Sequence, residues 1–160
     1  MSDNSNTSQN VDTAATAASD DIRPQGNGDW IGLRMENSTG VQFKILSLKL
    51  QWGKVYRDPN DKDTEIKPPS ALEGTDIDPK SSYTINACGR NSTASGTEGT
   101  VIIGYHGTQN ISIYWDVPDT GKNTLTARVL NGPYWVNVTS AVPSKGPIGN
   151  ITVEFGERAN

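Results

Sequence analysis

Cysteine and histidine are nearly absent: the 160 residues contain one of each, Cys88 and His106. With a lone cysteine no intramolecular disulfide can form, so the fold must stand on packing. One Cys and one His cannot furnish a zinc site. A nucleophile–base pair would need Cys88 beside His106 and a third group to orient the base. A buried cysteine packing as a small hydrophobe is the ordinary alternative. Positive charge is also scarce, with 14 Lys plus Arg against 18 Asp plus Glu and a net charge of −4. That balance speaks against a nucleic-acid partner, which needs a basic face, and against adsorption to anionic lipid through clustered cations. No apolar run approaches the roughly 20 residues that a membrane-spanning helix requires. No segment sustains a helical period, so no glycine-rich loop stands ahead of a helix to cradle phosphate. No catalytic residue, metal site or cofactor is expected.

The first ten residues, MSDNSNTSQN, have neither a basic start nor an apolar stretch. A secretory signal is therefore not expected, and synthesis in the cytoplasm is. Residues 1–28 are Ser, Asn, Thr, Asp and Ala with few aliphatics, a composition that cannot offset its ordering entropy; a disordered tail is expected, with a short helix over Thr13–Ser19 if something packs on it. The acidic stretch Asp58–Asp63 resembles part of a calcium loop. It lacks the glycine at the sixth position and the glutamate at the twelfth, and a solvated loop is the plainer reading.

From Asp29 onward the pattern is that of short strands, and a single domain over 29–160 is expected. Val41, Phe43 and Ile45 share one face by period two, and Leu46, Leu48, Leu50 and Trp52 continue on the other parity. The switch predicts a β-bulge near Ile45 and Leu46. Gly53–Lys62 reads as a polar loop around Pro59-Asn60-Asp61, and Pro68-Pro69 forbids a regular ladder nearby. Further strands are expected over residues 83–87, 100–105, 111–115, 124–130, 134–139 and 151–155, each bounded by Gly, Pro, Asn or Asp. The fold class is all-β, an antiparallel β-sandwich with no substantial helix.

Three segments carry a resemblance: Trp52-Gly53-Lys54; Ile85-Asn86-Ala87-Cys88-Gly89-Arg90 with Gly96-Thr97-Glu98-Gly99-Thr100; and Tyr114-Trp115-Asp116-Val117-Pro118 with Lys122-Asn123-Thr124. Trp30 and Gly149-Asn150-Ile151-Thr152-Val153 flank them. In order and spacing this set is similar to the aegerolysin family. The resemblance implies two packed sheets and recognition of a membrane sphingolipid, such as sphingomyelin with cholesterol or ceramide phosphoethanolamine. It also implies a role as the targeting half of a two-component cytolysin, haemolytic or insecticidal. A larger perforin-like or unrelated toxin partner would make the pore, acting outside the producing cell on the target-cell surface.

The resemblance points to Trp30 and Trp52 as membrane contacts. Tryptophan suits the bilayer interface, its ring apolar and its N–H wet, although a core position is the alternative for each. Lys54 and Lys122 fall at matching loop positions and could meet a phosphate; Arg90 is a third cation, with a structural ion pair as its alternative. Trp115 reads as core. Two departures bear on lipid identity: Ser95 stands where fungal members carry Glu, and Asp119 where they carry Trp. A receptor other than sphingomyelin–cholesterol, or a glycolipid, is expected from them. A glycan-binding module and a self-associating structural protein are the competing readings. A homodimer is plausible because edge strands need cover. A pore made by this chain alone is not expected, since no pair of long alternating segments is free to leave the core.

Overall fold

The computed structural model describes residues 28–91 and 93–160. The expected tail and its short helix lie outside the described residues, apart from Gly28. Eleven strands run in chain order: β1 (Trp30–Asn37), β2 (Phe43–Trp52), β3 (Lys54–Asp58), β4 (Asp61–Ile66), β5 (Asp76–Ile77), β6 (Ser81–Cys88), β7 (Thr97–Gly104), β8 (Ile111–Val117), β9 (Thr124–Val129), β10 (Tyr134–Val138) and β11 (Gly149–Glu157). A 3-10 turn, Pro69–Leu72, begins on the second residue of the double proline. A six-stranded sheet in the order β10-β11-β1-β6-β3-β4 packs against a five-stranded sheet in the order β5-β2-β7-β8-β9. The all-β sandwich is the expected one. Its ladders are antiparallel except for β1 and β11, which pair in parallel from Ile31–Gly149 to Asn37–Phe155.

Alternation makes the core. Ile31, Leu33 and Met35 of β1, with Ile151, Val153 and Phe155 of β11, face Ile45 and Leu48 of β2, Val101 and Ile103 of β7, and Ile113 and Trp115 of β8. Each such side chain contributes about 1.5–3 kcal/mol on leaving water. Trp115 is fully buried, as expected, and its indole N–H donates to Thr97 Oγ1 at 3.2 Å. Phe43 closes the core at the other end, edge-on to Tyr134 and tilted against Phe155, with centroids 5.2 and 4.7 Å away. There buried Asn37 ties the β1–β2 turn to β5: its amide donates to Val41 O and Ile77 O, and its Oδ1 accepts from the Thr39 N–H and hydroxyl.

The bulge in β2 falls where the parity switch put it, between Ile45 and Ser47, and a second register shift lies between Leu50 and Trp52. The polar loop expected over Gly53–Lys62 is a correction: β3 and β4 form a hairpin there, turning at Pro59-Asn60. Asp58 Oδ1 accepts from Asn60 N–H and Asp61 Oδ1 from Asp63 N–H, while Thr64 Oγ1 accepts from the backbone of Arg57 and Asp58. These carboxylates hold their own turns, and among the described residues no group of three or more His, Cys, Asp or Glu could hold a metal. β4 is an edge strand whose Asp-Lys-Asp-Thr-Glu sequence resists pairing with another sheet.

Candidate functional site

β1, β3, β7, β9 and β11 begin at one end of the sandwich, where β2, β6 and β8 finish. That end gathers the β2–β3 corner, the β6–β7 loop, the β8–β9 loop and the β10–β11 loop. Every residue expected to meet lipid is carried there: Trp30 opens β1, Trp52 closes β2, Lys54 opens β3, Arg90 and Ser95 lie in the β6–β7 loop, and Lys122 lies in the β8–β9 loop.

The corner at Gly53 sets the geometry. The chain leaves the five-stranded sheet at Trp52 and enters the six-stranded one at Lys54, with one residue between. Gly53 makes the turn at φ +91°, and a Cβ there would lie 2.5 Å from Cys88 O and 2.8 Å from Thr97 Cβ. Only glycine fits that backbone and that gap. Gly96, at φ +71°, similarly lets the β6–β7 loop press on Val117 O of β8. The shift after Leu50 places Trp52 opposite Glu98 and leaves the tryptophan 56% exposed. Among the described residues Leu130 is the other exposed large hydrophobic, and it follows β9 at the opposite end.

Trp30 is half-buried, with its ring edge 3.9 Å from where a Cβ on Gly149 would stand and with Lys62 Nζ 5.4 Å from its ring centroid. Sequence reading misses Lys62, because its acidic neighbours make the segment read as a solvated loop. Trp30, Cys88 and Lys54 occupy adjacent register positions across three strands. Lys54 is only 8% exposed, so it reaches a ligand less directly than its loop-like sequence suggests. Burial pushes the Cys88 thiol up to about 11, which keeps it protonated and unreactive. His106 stacks on Tyr105 beyond the end of β7, at the opposite end of the molecule from Cys88. The structure therefore assembles no Cys–His pair.

Arg90 makes a two-pronged ion pair with Glu65 of β4, at 3.0 and 2.7 Å. The guanidinium holds the Glu65 carboxyl below its ordinary range. Ser95 is exposed and hydrogen-bonded to Thr93 Oγ1 at 3.2 Å. Lys122 is exposed, on a loop anchored by Asn123, which donates to the carbonyls of Ser144, Pro143 and Gly146. Beside Trp52, Tyr114 donates to Glu98 Oε2 at 2.5 Å, and this bond lifts the phenol to about 12. Glu98 stands opposite Asp116, whose carboxyl is raised by desolvation and then by Glu98. Asp29 is 5% exposed just before Trp30, and Asp119 faces it from the β8–β9 loop. The end thus combines two partly accessible indoles with interspersed charges of both signs.

The aegerolysin family model matches residues 28–158, a span that takes in all eleven described strands. This chain belongs to the aegerolysin family. The aegerolysin is 35% identical over 135 residues to Aegerolysin Aa-Pri1 of Cyclocybe aegerita, covering 82% of this chain and 92% of that protein. It is 33% identical over 137 residues to Asp-hemolysin of Aspergillus fumigatus, covering 84% and 96%. Among solved structures it resembles IP-1A from Alcaligenes faecalis, with a TM-score of 0.75 and 32% identity over 84% of this chain and 95% of that one. It also resembles the RahU protein, with a TM-score of 0.76 and 26% identity over 84% and 98%. The fold expected from the motifs, and the family that they resemble, are both shown.

Proposed function

We propose that this aegerolysin recognises a sphingolipid-type membrane surface through the Trp30–Trp52 end and recruits a separate pore-forming protein to it. The observation that carries the reading is Trp52: a large apolar ring, 56% exposed, held at a strand end by a corner that tolerates only glycine. An indole fixed in that way can enter the bilayer interface without unfolding anything. The name of Asp-hemolysin, a relative along nearly its whole length, supports a membrane-directed role. Mixed charge supports a zwitterionic headgroup over an anionic one, since Asp29, Glu98, Asp116 and Asp119 stand among Lys54, Lys62, Lys122 and Arg90. Ser95 and Asp119, the two departures from the fungal pattern, lie at this same end, and they favour a receptor other than sphingomyelin–cholesterol. A separate pore-forming protein is the family expectation, and it is supported by the described strands, each of which is paired within a sheet.

The reading assigns the chain no catalysis, and it acts as a targeting component on the outside of the target cell. The test is co-sedimentation with vesicles of sphingomyelin–cholesterol, ceramide phosphoethanolamine–cholesterol, glycosphingolipid–cholesterol and phosphatidylcholine alone. Binding confined to one sphingolipid class supports the proposal. Equal binding to phosphatidylcholine, or binding to none with a positive glycan array, sinks it in favour of non-specific adsorption or of glycan recognition.

A further inference from the structure

Asp29 is the most buried acid at this end, 5% exposed, and its Oδ2 has no hydrogen-bond partner. Its main chain is pinned to the β6–β7 loop, because its backbone carbonyl accepts the Gly89 N–H at 3.1 Å. The polar group that it faces is the Asp119 carboxyl, within hydrogen-bonding reach. Both groups are acceptors when ionised, so the contact is satisfied only if one carboxyl carries a hydrogen. We propose that Asp29 and Asp119 form a proton-binding pair, one hydrogen held between two carboxylates, and that the Trp30–Trp52 end docks on a membrane with that hydrogen in place.

The groups around the pair agree. Trp30, next in the chain, carries no charge, and Cys88 on β6 is a neutral thiol. Lys62 reaches in from β4, and its attraction is outweighed: desolvation first, then the charge of Asp119, raise Asp29 to about 7. With one proton the pair carries a single negative charge beside Trp30. Without it the pair carries two on a surface that must shed water to dock, and excluding water favours the protonated form further. One proton linked to docking makes affinity fall as pH rises past 7, approaching tenfold per pH unit. Asp119 replaces an aromatic expected from the family pattern, so the coupling is a property of this chain's own residues.

This inference rests on the membrane-binding reading, and two readouts separate them. Carboxyl 13C NMR of the full chain without lipid should show Asp29 titrating near neutrality, and Asp119→Asn should move that titration down while burial still holds it above the ordinary carboxylate range. Vesicles of sphingomyelin–cholesterol and of ceramide phosphoethanolamine–cholesterol should bind wild type more tightly at pH 6 than at pH 8.5, by about tenfold or more. Asp119→Asn and Asp29→Asn should each flatten that dependence. A normal carboxyl titration for Asp29, or a pH slope shared by wild type and both variants, overturns the proposal. A titration near neutrality with no vesicle binding at any pH overturns the docking step together with the membrane reading, while leaving the proton pair standing.

Discussion

Replacing Trp52 by alanine separates folding from binding, and the size of each effect can be worked out beforehand. A tryptophan side chain presents about 250 Å², of which 56% exposure leaves about 140 Å² in water. Transferring that area completely from water would contribute about 3.5 kcal/mol at 25 cal/mol per Å², and shallow interfacial burial about 2 kcal/mol. The range corresponds to a loss of roughly 30- to 300-fold in vesicle affinity. Folding should change by about 1 kcal/mol or less, because more than half of the ring stays wet in the folded state. The assay is vesicle titration followed by tryptophan-independent light scattering, beside urea unfolding of the same preparations. Leu130→Ala, which removes the other large hydrophobic exposed among the described residues, at the far end, should leave the affinity unchanged. Wild-type affinity in Trp52→Ala, with an intact unfolding transition, would refute the argument. So would an equal loss in Leu130→Ala, since that would make adsorption indifferent to which end is apolar.

Other outcomes follow from the same geometry. Gly53→Ala forces a Cβ against Cys88 O at a positive φ, and should cost about 2–4 kcal/mol in denaturant unfolding. Asn37→Ala strips four hydrogen bonds from the far end and should cost a similar 2–4 kcal/mol, with vesicle affinity per folded molecule unaltered. The Arg90–Glu65 pair lowers the Glu65 carboxyl, so its stabilising contribution is present above the ordinary value of 4.5 and is lost as pH falls through the depressed one. With Arg90 44% exposed, solvent screening keeps that contribution under about 1 kcal/mol, and Glu65→Gln should flatten the acid limb of the stability profile only slightly.

Much of this was legible in the chain, and what was hidden was hidden for physical reasons. The β2 bulge shows as a parity switch because one face must stay apolar, and Trp115 shows as core because apolar residues flank it with period two. The β3–β4 hairpin does not show. Its outer strand is charged along its length, as a sheet edge is, so composition imitates a loop. Gathering the singled-out residues at one end required the family motifs; their individual environments required the fold. Lys54 reads as a loop cation yet begins a strand and is buried, and Arg90 is spoken for by an acid 25 positions away. Asp29 and Asp119 are separated by most of the domain, and nothing local marks either of them as buried.

The parallel pairing of β1 with β11 sets the start of β1 and the end of β11 at opposite poles. The chain enters β1 at Trp30, the pole that carries the indoles. β11 departs at Glu157, near the β1–β2 turn, where Gly40 N–H donates to the Glu157 carboxylate. A fluorescent protein or purification handle fused ahead of Asp29 would stand between the indoles and any surface that they approach. The same handle placed after Asn160 would trail behind, and a reporter built on this scaffold belongs there.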